Sequence, residues 1–166
     1  RILRKCIKTL RDFLTVSLPN PWRIVIVDNG SEDNTEEIAR QLECAFSEVS
    51  SLKIAQRGRG RALRKAWLTS SADIVSYMDV DLSSDLQAFP SMIENIELGY
   101  DVAIGSRLTK GSRVNLRSRL REITSRTYNL LIKVIFATKF TDAQCGFQAI
   151  TFKAPQALVP NIITQN

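Results

Sequence analysis

Histidine is absent from the 166 residues of this chain. A metal held at a carboxylate pair would therefore have oxygen ligands only, which favours a hard ion such as Mg²⁺ or Mn²⁺ over zinc. Cysteine is scarce. Cys6, Cys44 and Cys145 are odd in number and far apart, which excludes a disulfide framework and a zinc knuckle and fits a reducing compartment. Long apolar runs are missing too. The best candidate, residues 128–137, is interrupted by Lys133 and falls well short of the ~20 residues that cross a bilayer. No internal repeat or low-complexity linker divides the sequence.

What is present describes one globular domain over residues 1–166. Hydrophobic residues make up 44% and charged residues 24%, as in ordinary soluble proteins. A net charge of +6 points to an anionic partner such as phosphates, nucleic acid or a membrane surface. The chain opens inside a helical pattern (Ile2, Leu3, Cys6, Ile7, Leu10) and stops at Ile162-Ile163-Thr164-Gln165-Asn166 without a terminal element, so a piece of a longer protein is expected.

Along the chain, strands alternate with helices. Apolar spacing predicts helices over residues 2–14, from about 34, through 67, over 86–98 and over 116–137. β-Branched runs predict strands over 22–27, 52–55, 74–79, 102–104 and 148–152. This order implies an α/β fold with a mostly parallel sheet covered on both faces. Ligands of such sheets bind outside the carboxyl ends of the strands. Three polar motifs end predicted strands: Asp28-Asn29-Gly30-Ser31, Asp79-Val80-Asp81 and Gly105-Ser106-Arg107.

The run Ile74-Val75-Ser76-Tyr77-Met78-Asp79-Val80-Asp81 is the most telling. Side chains at i and i+2 of a strand share a face, so the two carboxylates point the same way or converge at the strand's mouth. Like charges this close are unfavourable unless a cation or water lies between them. The alternative is a solvated strand end. Arg57-Gly58-Arg59-Gly60-Arg61 enters a helix N-terminus, a natural anion site, although a solvated basic turn accounts for it equally well. From Arg107 to Arg126 there are seven cations (Arg107, Lys110, Arg113, Arg117, Arg119, Arg121, Arg126) and one anion, Glu122. Leu116, Leu120, Ile123, Thr127, Leu130 and Val134 form an apolar stripe beside a basic shoulder of Arg117, Arg121, Ser125 and Tyr128. That combination suits an anionic membrane interface; a soluble helix explains the stripe but not the cation excess.

These motifs resemble those of family 2 glycosyltransferases with the GT-A fold, a Rossmann-like nucleotide-diphospho-sugar transferase architecture. Val27-Asp28-Asn29-Gly30-Ser31-Glu32-Asp33-Asn34-Thr35 is similar to the family's V-D-D-G-S-x-D-x-T segment, with Asn29 in place of the second Asp. Gly58-Arg59-Gly60-Arg61-Ala62-Leu63 resembles G-K-G-x-A-L, and Asp79-Val80-Asp81 resembles D-x-D. Gly105-Ser106-Arg107, Arg121 with Ser125, and Asp142-Ala143-Gln144-Cys145-Gly146-Phe147 resemble the polyprenyl-phosphate branch, which includes dolichyl-phosphate glucosyl- and mannosyltransferases. The last segment leans towards the glucosyl relatives. The family's first strand, with its P-x-Y-N-E segment, is absent, and the segment after Phe152 is incomplete. The resemblance thus implies a catalytic domain truncated at both ends and inactive in isolation.

The same resemblance implies an inverting transfer from a nucleotide-diphosphate sugar to a polyprenyl or dolichyl phosphate, at the cytoplasmic face of a membrane. Asp28, Asn29, Gly30, Ser31, Gly58, Arg59 and Gly60 would hold the nucleotide sugar, and Asp79 and Asp81 would bind it through Mg²⁺ or Mn²⁺. Arg107, Arg117, Arg121 and Ser125 would hold the acceptor phosphate, and Asp142, with Asp81, would serve catalysis. A sugar-hydroxyl acceptor would instead require Asp142 as a general base. Among rivals, a haloacid-dehalogenase-type phosphatase needs a later acidic pair that does not follow Asp101. A non-catalytic module for RNA or anionic lipid fits the arginines. Against RNA, Asp28, Asp79, Asp81 and Asp142 would repel a phosphate backbone, so no nucleic-acid partner is expected.

Overall fold

The computed structural model describes residues 2–106, 119–136, 142 and 145–154. Helix α1 (Ile2–Ser17) is followed by β1 (Ile24–Asn29), α2 (Thr35–Ala45), β2 (Val49–Ile54), α3 (Arg59–Leu68) and β3 (Ile74–Met78). A 3₁₀ turn (Leu86–Ala88) leads into α4 (Phe89–Glu97), and β4 (Val102–Ile104), α5 (Arg119–Phe136) and β5 (Phe147–Thr151) complete the order. The α/β alternation expected from the sequence is present, with most element boundaries displaced by one to three residues. Strand β1 runs on through Asp28 and Asn29, which pair with Lys53 and Ile54 of β2. Strand β2 begins at Val49, because Ser50 and Ser51 pair with β1 despite their low β-propensity.

Strands β1 and β2 are parallel, and a second sheet has the order β3-β5-β4. Strand β5 runs antiparallel to both neighbours, so β3 and β4 point the same way. Their carboxyl ends therefore flank the start of β5: Met78 is opposite Phe147, and Ile104 is opposite Gln148. Asp79 and Gly105, each one residue past its strand, share that edge. Asp28 belongs to the β1-β2 pair instead.

One buried cluster joins the two sheets. α1 contributes Ile7, Leu10 and Leu14 at helical spacing, β1 contributes Ile24 and Ile26, and α2 contributes Ala39 and Leu42. On the other side Phe89, Met92 and Ile96 of α4 meet Cys145, Phe147 and Ala149. Phe147 and Phe89 lie with ring centroids 5.9 Å apart, within the range of favourable aromatic pairs. The Phe147 carbonyl also accepts the Gly105 N–H at 2.9 Å. Among the described residues no helix is long and apolar enough to cross a membrane.

Phe147 is thus both core and register pin. Phe147→Ala should destabilise the domain by about 3–5 kcal/mol, measured as a shift in chemical denaturation midpoint at constant slope. Val16→Ala, at a position 87% exposed, should change stability by less than about 0.5 kcal/mol. A Phe147 effect as small as that of Val16 would show that β5 is not docked on α4.

Candidate active site

The site grows from the N-terminus of α3. Its cap residue Gly58 donates its N–H to Asn29 Oδ1 at 2.9 Å, which ties the end of β1 to the start of the helix. The turn that leaves β1 for α2 uses Gly30 at φ +71°, a left-handed backbone that glycine adopts without the penalty of a side chain. Arg57 closes over this turn, donating to the Gly30 carbonyl at 3.2 Å and to Glu32 at 2.7 Å. Helix geometry leaves the first N–H groups of α3, from Arg59 and Gly60 onward, without intrahelical acceptors, and the helix dipole makes that end favourable for an anion.

Arg59 then reaches across to the other sheet. Its guanidinium lies 3.7 Å from Asp79 Oδ1 and 4.9 Å from the centre of the Tyr77 ring. The Tyr77 hydroxyl donates to the same Asp79 oxygen at 2.5 Å. Partial burial, and then the Asp79 carboxylate, push the Tyr77 phenol up to about 12, so it stays protonated and remains a donor. A Cβ on Gly146 would overlap Asp79 Oδ2 and stand 3.0 Å from Arg59 Nη2. A larger residue there would make the Asp79 carboxylate, and with it the Arg59 contact, shift. The contacts therefore run from Asn29 through Gly58 and Arg59 to Asp79 and Gly146.

After Asp79 the strand does not continue. The Leu82 N–H bonds back to the Asp79 carbonyl at 3.0 Å, with Leu82 at φ +50°. Asp81 sits in this turn, where its Oδ1 accepts the Ser83 N–H at 3.0 Å. The pair thus resolves as two carboxylates at a strand mouth. Among the described residues, no group of three or more candidate side-chain ligands gathers into a metal cage. Two exposed carboxylates nonetheless fit Mg²⁺ or Mn²⁺, since such ions take one or two protein carboxylates and complete their shell with water and substrate phosphates.

Asp28 and Asn29 turn to opposite faces, as neighbours in a strand must. Asp28 shares the face of Ile24 and Ile26 and is 4% exposed. Its Oδ1 accepts the Ser31 N–H at 3.0 Å, while Oδ2 is buried without a hydrogen-bond partner. It lines a cavity of about 160 Å³ with Glu36, Ala39, Arg40, Ser51 and Lys53, towards α2 and away from Arg59. Asp142 is 2% exposed, and its carbonyl accepts the Cys145 N–H at 3.3 Å. That bond sets Asp142 just ahead of Gly146.

For the acceptor side, Arg107 and Arg117 lie outside the described residues, as does the side chain of Arg121. Ser125 lies on α5, where its carbonyl accepts the Asn129 amide at 2.9 Å. The sequence reading missed Tyr77 and Gly146. A signal for Tyr77 was available, because the i, i+2 rule that pairs Asp79 with Asp81 also pairs Tyr77 with Asp79. Gly146 gave none, since its role depends on which strand β5 joins.

Comparison with known proteins adds to this geometry. The chain is 33% identical over 158 residues to Glycosyltransferase AglD of Haloferax volcanii, covering 94% of this chain and 25% of that protein. It is 28% identical over 172 residues to the dolichyl-phosphate beta-glucosyltransferase of Saccharomyces cerevisiae, covering 92% and 52%. To the undecaprenyl-phosphate 4-deoxy-4-formamido-L-arabinose transferase of Yersinia enterocolitica it is 28% identical over 137 residues, covering 80% and 39%. The chain spans between a quarter and about half of the length of these relatives. Residues 1–158 match the description "Glycosyl transferase family 2", a span that contains the motifs of β1, α3 and β3, and the chain belongs to that family.

Proposed function

We propose that this domain serves an inverting glycosyltransferase that moves a hexose from a nucleotide-diphosphate sugar, of UDP-glucose or GDP-mannose type, to a polyprenyl or dolichyl phosphate at the cytoplasmic face of a membrane. The observation that carries this reading is the contact of Arg59 with Asp79 beside Gly146, with Asp81 in the next turn. It sets an anion-binding helix end against a carboxylate pair, the combination that a diphosphate with a divalent ion requires. The relatives named for dolichyl and undecaprenyl phosphates supply the acceptor class.

In this reading Asn29 offers its amide to the nucleotide, whereas Asp28, expected beside it there, is buried on the opposite face and holds the Gly30-Ser31 turn from behind. Asp79 and Asp81 would hold Mg²⁺ or Mn²⁺, which when bound offsets the charge that develops on the departing diphosphate. The α3 N–H groups and Arg59 add donors to the same oxygens. An acceptor phosphate oxygen forms the new bond to the anomeric carbon on the face opposite the leaving group. The bond from that carbon to the nucleoside diphosphate breaks, and its electron pair leaves on the diphosphate oxygen. That phosphate is already anionic, so no proton need be removed, and Asp142 orients the sugar. Arg107, Arg117, Arg121 and Ser125 grip the acceptor phosphate, with arginine suited to a bidentate hold.

Helix α5 gives the membrane part of the proposal. Tyr128, Leu130, Leu131, Val134 and Ile135 are exposed, beyond the most cation-rich stretch of the sequence. Apolar side chains next to surplus positive charge match a bilayer with anionic head groups. Leu131→Asp with Ile135→Asp should reduce co-sedimentation with anionic vesicles several-fold. Unchanged co-sedimentation would remove α5 from the membrane contact.

Two substitutions in the full-length enzyme test the chemistry. Asp81→Asn should lower Mn²⁺-dependent transfer about a hundredfold or more at an unchanged unfolding midpoint; near-normal turnover would leave Asp81 only its Ser83 turn contact. Arg121→Ala should weaken use of polyprenyl phosphate by about 1.5–3 kcal/mol, roughly tenfold to over a hundredfold, and leave donor affinity nearly unchanged. Paired titrations of lipid phosphate and donor decide this, and equal losses would move Arg121 out of the acceptor site.

A further inference from the structure

Three arginines flank the N-terminus of α3, and two of them bond to the loops beside it. Arg57 bonds Gly30 and Glu32, and Arg61 donates to the Arg57 carbonyl at 3.2 Å. Arg59 instead crosses to β3, where it stacks over the Tyr77 ring at 4.9 Å and faces Asp79 at 3.7 Å. We propose that Arg59 is the resident counter-cation of Asp79: it occupies the carboxylate before a divalent ion arrives and is then released to the donor diphosphate. This deepens the reading above and rests on it, because it needs Asp79 to be a ligand of the ion.

Oxygen Oδ1 of Asp79 already accepts the Tyr77 hydroxyl and faces Arg59. A divalent ion on that carboxylate would meet the guanidinium at close range, and like charges there repel. The exchange is feasible because the pair is weak: both side chains are about half exposed, and exposed pairs contribute little. It is also local. The backbone of Arg59 is fixed by the Gly58 cap on Asn29, so only a long, flexible side chain has to move. Tyr77 gives that side chain a seat through a cation–π contact. On leaving it, Arg59 stays at the helix end where the diphosphate would bind. The same residue therefore opposes the free ion and favours the ion–nucleotide complex, two effects of opposite sign.

That inversion of sign is the test. In the full-length enzyme, Mn²⁺ binding is measured without nucleotide by the electron paramagnetic resonance signal of free Mn²⁺, and UDP and GDP are then titrated at saturating Mn²⁺. Arg59→Gln should bind Mn²⁺ about fivefold more tightly, the size an exposed ion pair supports, and bind the preferred nucleoside diphosphate about fivefold more weakly. Tyr77→Leu, which removes both the seat and the hydroxyl bonded to Asp79, should raise Mn²⁺ affinity by more than Tyr77→Phe, which loses the hydroxyl and keeps the ring, and by less than Arg59→Gln. Arg59→Gln with unchanged or weaker Mn²⁺ binding overturns the counter-cation role alone. Wild type that binds no Mn²⁺, with or without nucleotide, overturns the metal reading beneath it.

Discussion

Where β5 enters between β3 and β4, the backbone of Gly146 passes so close to Asp79 that a side chain there would force the Asp79 carboxylate to shift. Much of the site follows from this close approach. It lets Phe147 pair with Met78 and accept the Gly105 N–H, which sets the ends of β3 and β4 on either side of one point. It also keeps Asp79 turned towards Tyr77 and Arg59. The core secures the arrangement from below, because Phe147 and Ala149 are buried against α4 and cannot slide by one residue without turning to the opposite face.

The two sheets share a core, and the α3 N-terminus joins them a second time at the polar rim. Asn29 reaches it from β1, and Asp79 meets it from β3. These are modest contacts individually, a single hydrogen bond and an exposed ion pair. They sit on elements whose positions are set by burial, so they need only orient side chains. Division of labour of this kind suits a site that must exchange its contacts for those of a substrate.

Much of this was visible in the sequence, for identifiable reasons. Apolar runs ending in Asp28, Asp79 and Gly105 announce strand ends, and the α/β alternation follows from the spacing between them. The sequence reading put Asp28 beside Asn29 at the nucleotide, whereas in the structure Asp28 shares the buried face of Ile24 and Ile26. Strand partnership was not visible. The run of residues 147–151 reads equally well as a parallel or an antiparallel strand, because the period of two says nothing of direction. Gly146 is therefore an ordinary glycine until β5 is laid antiparallel beside β3. The motif resemblance supplied roles for Asp79 and Asp81 but not for Tyr77, whose hydroxyl and ring become relevant only once Arg59 is seen to cross the gap.

Under the proposed function, the donor and acceptor halves would rest on different physics. The donor half is positioned by backbone: a helix end, a capped glycine and a turn after β3, all close to the core. The acceptor half, as far as it is described, is a helix with apolar side chains in solvent beside a cation-rich stretch. Those exposed side chains would gain from an apolar surface with negative charge at its rim. Under the proposed function, a long isoprenoid chain would stay in such a surface while its phosphate approached the basic residues, and the protein would not have to enclose the lipid. Asp142 is buried and its carbonyl accepts the Cys145 N–H, so a carboxylate proposed to orient the sugar is tied to the lead-in of β5, whose Gly146 passes against Asp79.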